Sequence, residues 1–462
     1  MKNTKLYLLI GMLALSPLLA NASSLLDIYQ LALENDSQLK ADRAAYEAGL
    51  ENRYLGRAAL LPQINASATY TESDDDSVNR VPIDPNDPFV QSGTGNTDLA
   101  QKNWGVSLQQ PLLNMAAWYD YKRGIKLSEQ AEAQFGADQQ SLIVRVAEAY
   151  FNVLRAIDTL EATIAEERAL AQQLEQAKQR YEVGLTAITE VHEAQAAYDS
   201  ALALRLESRG NLSISYEALE VLTGQPHDQV APLSPEFPVV DPIPSDRHEW
   251  VEFSLANNYA LKATRLQADA LAETAKASRS GHLPTVTANI SYNDNATDGT
   301  RYGQPIDNTS EGPSIGVRLD VPLFSGGGTS SRRRQAYAQS AQAMELFNSA
   351  QRNVVQSTRA LHLSVETGVA QVQARKQAIV SSQSALEATQ SGYEVGTRNL
   401  VEVLLAQRQL YQARRNYATA LYDYIINTVR LSEVAGMLTP ADVQEIDKWL
   451  NEQAPVNRSQ YE

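Results

Sequence analysis

The chain has 462 residues, a formal net charge of −16 and no cysteine. The lack of cysteine excludes disulfide bonds, and five scattered histidines leave little material for a metal site. The negative charge disfavours nucleic acid as a partner, because phosphate backbones are bound by basic surfaces.

The first 22 residues are typical of a secretory signal. Lys2 and Lys5 precede the apolar run 6–19, and Ala20-Asn21-Ala22 fits a cleavage site. An uncleaved anchor helix is the alternative, although the run is short for a membrane span. Beyond it, no stretch of 18 apolar residues free of charge occurs, so we expect no transmembrane helix. An exported chain of this kind is either soluble outside the cytoplasm or crosses a membrane as a β-barrel.

The mature chain is predicted to begin with a helix and to continue with strands. The helix covers Ser24 to Leu60, is rich in Ala, Leu, Glu and Arg, and is closed by Pro62. Four later segments alternate apolar and polar residues, which is typical of strands with one apolar face. Their apolar residues are Ile64, Ala66, Ala68 and Tyr70; Trp104, Val106 and Leu108; Val286, Ala288, Ile290 and Tyr292; and Ile315, Val317, Leu319 and Val321. Within each pair of strands we predict a polar loop, at residues 73–101 and 293–312.

Long helices follow each pair of strands. No proline interrupts these segments, and apolar residues recur at spacings of three and four, as in an amphipathic helix. The first half contains a long helix from about 112 to 184 and a partner from 186 to 222. The second half contains a helix before Pro284, a long helix from about 332 to 395 and a partner from 399 to 436.

The two halves repeat each other. Leu61-Pro62-Gln63-Ile64 reappears 222 positions later as Leu283-Pro284-Thr285-Val286, and Tyr181-Glu182-Val183-Gly184 reappears 212 positions later as Tyr393-Glu394-Val395-Gly396. A period this long indicates two copies of one large unit. The predicted organisation is a signal peptide (1–22), a first repeat (23–225), a Pro-rich linker (226–246), a second repeat (247–437) and a polar C-terminal tail (438–462). We expect the tail to be peripheral or disordered and assign it no role.

Four strands are too few to form a closed β-barrel. About eight strands are needed to close a filled barrel, so four form either a small soluble sheet or part of a barrel shared by several chains. A soluble sheet is the usual explanation for four alternating strands. The export signal, the polar loops and the attachment of the helices to one end of both strand pairs favour the shared barrel. A trimer would supply twelve strands.

Six sequence motifs are spread across both halves. They are Leu61-Pro62-Gln63; Ala149-Tyr150-Phe151-Asn152-Val153-Leu154; Gly184-Leu185-Thr186-Ala187-Ile188-Thr189-Glu190-Val191; Gly281-His282-Leu283-Pro284; Gly392-Tyr393-Glu394-Val395-Gly396-Thr397-Arg398; and Tyr424-Ile425-Ile426-Asn427. Together they resemble the TolC-type outer-membrane channels over essentially the whole mature chain. The tail after about Leu438 matches weakly.

The resemblance implies a mixed α and β fold that is mostly α. It comprises an internally duplicated, long helical coiled-coil barrel and four transmembrane β-strands, which a homotrimer combines into one shared twelve-stranded barrel. The implied location is the outer membrane, with a helical tunnel projecting into the periplasm. The implied partners are a periplasmic adaptor protein and an inner-membrane transporter, and the implied function is an exit duct for efflux or type I secretion, without a cofactor.

The same resemblance assigns roles to residues near the helix turns. Carried over by motif, Tyr393 and Arg398 would bond Thr189 and Glu190 and close the periplasmic end as a gate. An arginine beside a carboxylate makes a charge-assisted pair, and a ring of such pairs can hold a bistable closure. The alternative is that Arg398 and Glu190 are solvated charges at helix ends, which contribute little.

Two departures from the family pattern concern the tunnel. The family narrows its tunnel with two rings of Asp, whereas this chain has Glu402 and Leu405 at those positions, so one acidic ring remains. A further latch arginine of the family is Leu421 here. The resemblance also places the two helix turns in contact with the adaptor, through Val183, Gly184, Leu185, Thr186, Val395, Gly396 and Thr397.

Other classes of function remain as alternatives. An enzyme is disfavoured, because the sequence has no nucleophile elbow, metal-ligand spacing or phosphate-binding loop. A non-conducting, structural coiled-coil envelope protein would explain the helices but not the duplicated strands. Arg332-Arg333-Arg334 is a charge run of the kind that is usually solvated; in the family's arrangement it could contact phosphates of outer-membrane lipid.

Overall fold

The computed structural model of the chain describes residues 23–80, 92–301 and 304–461, and the predicted signal peptide lies outside them. The helices are α1 (Leu25–Asn35), α2 (Ser37–Leu50), α3 (Asn52–Ala58), α4 (Met115–Glu182), α5 (Ile188–Thr223), α6 (Arg247–Asn257), α7 (Tyr259–Ser280), α8 (Gly328–Glu394), α9 (Leu400–Val434) and α10 (Pro440–Asp447). The strands are β1 (Gln63–Arg80), β2 (Ser92–Leu113), β3 (Gln229–Val230), β4 (Thr285–Arg301), β5 (Gln304–Asp320) and β6 (Val456–Asn457). None of these described helices is both long enough and apolar enough to cross a membrane.

The four long strands form one antiparallel sheet in the order β1-β2-β4-β5. The central pair, β2 with β4, joins the two repeats, so neither repeat forms a sheet of its own. At this junction Trp104 Nε1 donates to Asp294 Oδ2 at 2.9 Å, and the Trp104 ring lies 5.6 Å from that of Tyr292. The predicted strands are therefore confirmed, and the two strand pairs are continuous with each other.

Where the structure describes the predicted polar loops, their residues belong to strands. Residues 73–80 and 92–101 continue β1 and β2, and residues 293–301 and 304–312 continue β4 and β5. An antiparallel pair is held by backbone hydrogen bonds, so a change to polar side chains on both faces does not end it. The alternating pattern therefore marked only part of each strand.

The predicted helix from Ser24 to Leu60 is wrong as a single element, since three helices occupy it. The first break is at Asp36, and the equivalent break in the second repeat is at Asn258, 222 positions later; both have extended backbone, with ψ of 116° and 117°. Asp36 is buried and accepts from the Leu39 N–H at 2.6 Å and from Arg145 Nη1 at 2.9 Å. Burial alone would raise the pKa of Asp36, but these bonds lower it below its ordinary value. The buried, ion-paired break caps α2 from outside the helix.

The described residues divide into two compact units. One contains residues up to Asp42 together with Ala137–Asn258 and Val354–Glu462, and the other contains Arg43–Gly136 and Tyr259–Asn353. The four-stranded sheet belongs to the second unit. The first unit has a core around Tyr150 and Phe151, whose rings meet edge to face at 5.7 Å. The Tyr150 hydroxyl donates to the Ala231 carbonyl at 2.8 Å, which ties α4 to the linker between the repeats.

The C-terminal segment is folded, so of the two expectations for the tail, peripheral or disordered, disorder is wrong. A capping box between Thr439 and Asp442 starts α10, and β6 pairs with β3 of the linker. The Arg458 guanidinium lies 5.4 Å from the centre of the Tyr216 ring on α5. The tail is polar on average, but a few buried apolar residues, such as Val443, anchor it.

Candidate functional site

Two tight turns join the long helices, one between α4 and α5 and the other between α8 and α9. Gly184 and Gly396 have φ values of 77° and 78°, which side chains of L-residues rarely adopt. A Cβ added at either glycine would meet no atom within 4 Å. Positive φ, and not lack of room, therefore requires glycine at both turns.

The turns expose apolar side chains. Val183, Leu185 and Val395 are 70%, 70% and 75% exposed. The structure thus places the residues that we assigned to adaptor contact at two exposed apolar tips. Those residues are Val183, Gly184, Leu185, Thr186, Val395, Gly396 and Thr397.

Behind the turns, four helices share one apolar cluster. Leucine, valine and alanine side chains of α4, α5, α8 and α9 meet there, spaced at helical intervals. The buried members are Leu170, Leu174, Ala177, Ala194, Ala197, Ala201, Leu386, Tyr393, Leu400, Val403, Leu404 and Leu410. The cluster holds the α4–α5 pair against the α8–α9 pair just behind the tips.

Tyr393 is the polar end of this cluster. The residue is only 8% exposed, and its hydroxyl donates to Glu190 Oε2 at 3.2 Å. The Arg180 guanidinium lies 4.9 Å from the ring centroid, a cation–π distance. Burial and the Glu190 carboxylate raise the pKa of Tyr393, whereas Arg180 opposes the rise, so the phenol stays protonated and donates. The expected contact between Tyr393 and Glu190 is therefore present within one chain.

Arg398 has a different partner from the expected one. Its Nη1 lies 2.5 Å from Glu402 Oε2, and the described residues of this chain give it no bond to Thr189 or Glu190. Asn399 caps α9 by accepting from the Glu402 N–H at 3.0 Å, which brings Glu402 one turn from Arg398. Thr189 is exposed and has no side-chain hydrogen bond among the described residues. Within one chain, the structure thus joins Tyr393 to Glu190 and pairs Arg398 with Glu402.

The two residues that the resemblance assigns to a constriction differ in environment. Glu402 is half-buried in the first turn of α9, where the helix dipole favours a carboxylate. Leu405, three residues further along the same helix, is 54% exposed. Glu402 therefore carries the charge at this level, and Leu405 presents an unpaired apolar side chain.

Sequence reasoning missed the ion pairs between α4 and α9. Arg415 Nη1 lies 2.6 Å from Glu166 Oε2, with side chains only 18% and 5% exposed. Tyr422 donates to Asp158 at 2.9 Å, and Arg155 pairs with Asp423 at 2.7 Å. The partners are more than 240 residues apart in the sequence. The one sequence pattern that could have indicated these contacts is a charged residue on an otherwise apolar helix face. Arg180 was missed for the same reason.

No metal site was found in the part of the chain that the structure describes, because no three His, Asp or Glu side chains there are grouped to hold an ion. At the first turn, Thr186 Oγ1 and Arg180 Nε are buried without a hydrogen-bond partner among the described residues. The arrangement joins one helix pair to the other through the apolar cluster and the bond from Tyr393 to Glu190.

A family model described as outer membrane efflux protein matches residues 28–225 and 250–437. These two segments nearly coincide with the repeats that the sequence predicts, and the linker separates them. The match therefore covers most of the chain in both copies of the repeated unit.

Individual proteins are similar over nearly the whole chain. Outer membrane protein TolC of Vibrio cholerae is 38% identical over 93% of this chain and 94% of its own length. Alkaline protease secretion protein AprF of Pseudomonas aeruginosa is 30% identical over 92% of this chain and 87% of its own. The crystal structure of outer membrane protein VceC from Vibrio cholerae has a TM-score of 0.72 at 19% identity, covering 89% of this chain and 96% of that one. The last likeness shows a common fold.

Proposed function

The chain belongs to the outer membrane efflux protein family, and on this premise we propose that Tyr393, Glu190 and Arg180 latch the periplasmic gate of a trimeric exit duct. The hydrogen bond from Tyr393 to Glu190, at the polar end of the shared apolar cluster, carries the proposal. It joins one helix pair to the other, so releasing it frees α8 and α9 to move away from α4 and α5.

The coarse function follows from the family. The protein is an outer-membrane exit duct of efflux pumps and type I secretion systems, with its tunnel in the periplasm, and it is not an enzyme. Membership of such systems implies an adaptor and a transporter as partners. The trimer, the lipid contacts, the gate residues and the adaptor-contacting tips belong to the proposal.

The edges of the sheet support a trimer. Among the described residues, β1 pairs only with β2 and β5 only with β4, so two long edges are open within one chain. Ile315 and Val317 on β5 are 80% and 69% exposed. An open apolar edge in a membrane must pair with another strand, because lipid cannot satisfy its backbone groups. Three copies, each with four strands, give a closed barrel with apolar side chains towards lipid.

A basic segment next to the sheet supports contact with lipid head groups. Arg332, Arg333 and Arg334 are exposed in the first turns of α8, which follows β5 after a short connection. Arg334 donates to Ser331 at 2.9 Å, and guanidinium groups bind phosphates through two parallel hydrogen bonds. We assign these arginines to the phosphates of the surrounding lipid.

The contacts of Tyr393 with Glu190 and Arg180 contribute a moderate free energy to the closed state of each chain. A hydrogen bond to a charged acceptor contributes about 1.5–3 kcal/mol, and a cation–π contact about 0.5–2 kcal/mol. Opening therefore costs a few kcal/mol per chain, which the binding of a partner protein can supply.

Arg398 supplies a second closure between chains. Its side chain is 59% exposed, and an exposed pair such as that with Glu402 contributes little in water. Exchanging Glu402 for an acceptor on a neighbouring copy therefore costs little. The family's bond from this arginine then forms between subunits, and not within one chain.

The exposed tips fit the role of an adaptor contact. Val183, Leu185 and Val395 offer apolar surface on turns whose backbone is fixed by internal hydrogen bonds, such as Leu185 N–H to the Arg180 carbonyl at 2.8 Å. Arg180 and Tyr393 lie directly behind these turns. A protein bound at the tips can thus weaken the contact of Tyr393 with Glu190 and Arg180.

Glu402 forms the acidic ring of the tunnel. Three copies of one carboxylate at the same level attract cations and repel anions, while Leu405 seals by apolar contact. We therefore expect a cation-preferring channel with one charged constriction.

Single-channel recording in planar bilayers tests the gate. Removing only the Tyr393 hydroxyl, as in Tyr393→Phe, deletes the bond to Glu190 and keeps the ring in the cluster. We expect the small, mostly closed openings of the unaltered protein to become several-fold larger or longer in this variant. The chain offers a matched control, because Tyr181 holds the equivalent place in the first repeat and is 45% exposed.

Tyr181→Phe should leave the current unchanged. Equal currents from Tyr393→Phe and the unaltered protein would overturn the gate assignment but not the duct. A folded, inserted protein without any conductance would overturn the duct and favour the structural coiled-coil alternative.

A further inference from the structure

A cavity of about 260 Å³ lies in the first unit, away from the helix turns. It is bounded by α4, by α9, by the linker segment 232–237 and by Val456 in β6. Leu154 and Ile157 on α4 are buried and give it an apolar floor, and Phe237 of the linker adds an aromatic wall. Nothing in the gate mechanism uses this cavity.

Two aromatic residues of α9, Tyr417 and Tyr422, complete the lining. Tyr422 is buried and packs near Phe151, with ring centroids 6.0 Å apart. Phe237 is held by Trp449 of the C-terminal segment, with ring centroids 6.2 Å apart. The aromatic lining is thus fixed by packing from elements on both sides, as in a preformed small-molecule site.

Two carboxylates also line the cavity, and both have only neutral partners. Asp158 accepts from the Tyr422 hydroxyl at 2.9 Å, and Glu161, one turn further along α4, accepts from the Tyr461 hydroxyl at 2.5 Å. No lysine, arginine or histidine of the described chain lies in ion-pair contact with either of them. Arg155, on the same face of α4, is engaged by Asp423 and Asn152 instead.

The charge of Asp158 is therefore uncompensated. Burial raises the pKa of Asp158 to about 6, with the Tyr422 hydrogen bond opposing the rise and Glu161 adding to it. The facing groups are Glu161 on α4, Tyr417 and Tyr422 on α9, and Tyr461 from the C-terminal segment. The pKa values of all three tyrosines are raised, so they stay neutral at physiological pH.

We propose that this cavity binds a small organic cation, with a quaternary or protonated amine beside Asp158 and an apolar body between the aromatic residues. Asp158 is half-buried and Glu161 is exposed, so the charged group enters past Glu161. Aromatic rings and a carboxylate together recognise ammonium groups, through cation–π and ionic attraction. A metal ion fits less well, because no third carboxylate or histidine is grouped with these two among the described residues.

Isothermal titration calorimetry with benzyltrimethylammonium, on the full-length protein in a non-ionic detergent at pH 8, tests the proposal. We expect saturable binding that Asp158→Asn weakens at least tenfold, because asparagine keeps an acceptor for Tyr422 but carries no charge. Glu175→Gln removes an exposed carboxylate elsewhere on α4 and should leave the affinity within twofold. Benzyl alcohol, which has the ring without the charge, should bind at least tenfold more weakly.

The unaltered protein provides a test that does not depend on any variant folding. A carboxyl with a pKa of about 6 is only about one-tenth ionised at pH 5, so affinity should fall about tenfold between pH 8 and pH 5. Leu421→Trp, which fills the cavity, should abolish binding, whereas Glu402→Gln in the tunnel should preserve it.

Several results would overturn the proposal. They are no saturable binding to the unaltered protein, equal affinity at both pH values, or full affinity in folded Asp158→Asn protein. Binding that Glu402→Gln removes and Leu421→Trp spares would place the probe in the tunnel. None of these results bears on the gate, because channel conductance is measured separately.

Discussion

The two helix turns begin from the same sequence and end in different environments. Tyr181-Glu182-Val183-Gly184 and Tyr393-Glu394-Val395-Gly396 have the same glycine conformation, yet Tyr181 is 45% exposed and Tyr393 is 8% exposed. Duplication therefore produced two turns with one backbone, and packing gave only the second a buried tyrosine. The backbone of the turn is therefore common to both repeats, whereas, among the described residues, the buried tyrosine and its contacts occur only in the second.

The residue before each tyrosine accounts for much of this difference. In the first repeat it is Arg180, whose guanidinium covers the Tyr393 ring. In the second repeat it is Gly392, where an added Cβ would lie 2.7 Å from Arg398 Cγ. A side chain at Gly392 would displace Arg398, so the second copy has no arginine that could cover Tyr181 in the same way.

The acidic residues diverge in the same manner. Glu190 and Glu402 hold equivalent places, 212 positions apart, but Glu190 accepts from Tyr393 across the helix pairs and Glu402 accepts from Arg398 next to its own helix. One glutamate thus became part of a joint between helix pairs. The other, Glu402, has a local and exposed partner, Arg398, which is consistent with the proposed constriction.

The largest expected effect compares alanine at the two tyrosines. Tyr393→Ala removes a buried ring from the four-helix cluster and should lower the local free energy of opening by about 3 kcal/mol. Tyr181→Ala should lower it by less than about 1 kcal/mol, because its ring is largely solvated. Amide hydrogen exchange in the last turns of α4 measures both values. Equal losses would show that the two turns are energetically equivalent.

A smaller effect separates the two glutamates. Glu402→Gln should weaken block of the channel by a trivalent cation such as La³⁺ about tenfold, because it removes the acidic ring. Glu190→Gln should leave the block within twofold, since that carboxylate is bonded to Tyr393. Dose–response curves of single-channel block in planar bilayers give both numbers. An unchanged block in Glu402→Gln would remove this residue from the constriction.

The smallest expected effect concerns Asp158 on α4, a position at which the two repeats also differ. Asp158 is replaced by Ala370 at the equivalent place in the second repeat. The raised pKa of Asp158 means that ionisation disfavours the folded state, so its penalty is absent below about pH 4 and grows as the pH rises through about 6. Asp158→Asn should therefore raise Tm by about 2 °C at pH 8 and leave it unchanged at pH 4. Glu175→Gln, an exposed control on α4, should give the same small change at both pH values.

The fold was largely predictable because the repeat marks each element twice. The long helices and their turns were predicted to within a few residues, and the glycines fixed where each helix ends. The breaks at Asp36 and Asn258 escaped prediction, since each depends on capping and contacts that no local pattern encodes. The folded tail escaped for a similar reason, because its few anchors contact residues far away in the sequence.

The site was predictable only in part. Motif matching singled out Tyr393, Glu190 and Arg398, and the contact of Tyr393 with Glu190 is present; within one chain, however, Arg398 is paired with Glu402, a contact that the motifs did not predict. Arg180 was missed, because a cation above a ring depends on how two helix pairs meet and not on spacing along either helix.

A double-mutant cycle on channel opening tests the latch most directly. Tyr393→Phe and Glu190→Gln are made singly and together, and the open probability of each variant is recorded in planar bilayers. If both residues act through one hydrogen bond, the double variant should open no more than either single variant, with a coupling of about 1.5 kcal/mol. Effects that add independently would contradict the account, because the two side chains would then not close the gate together.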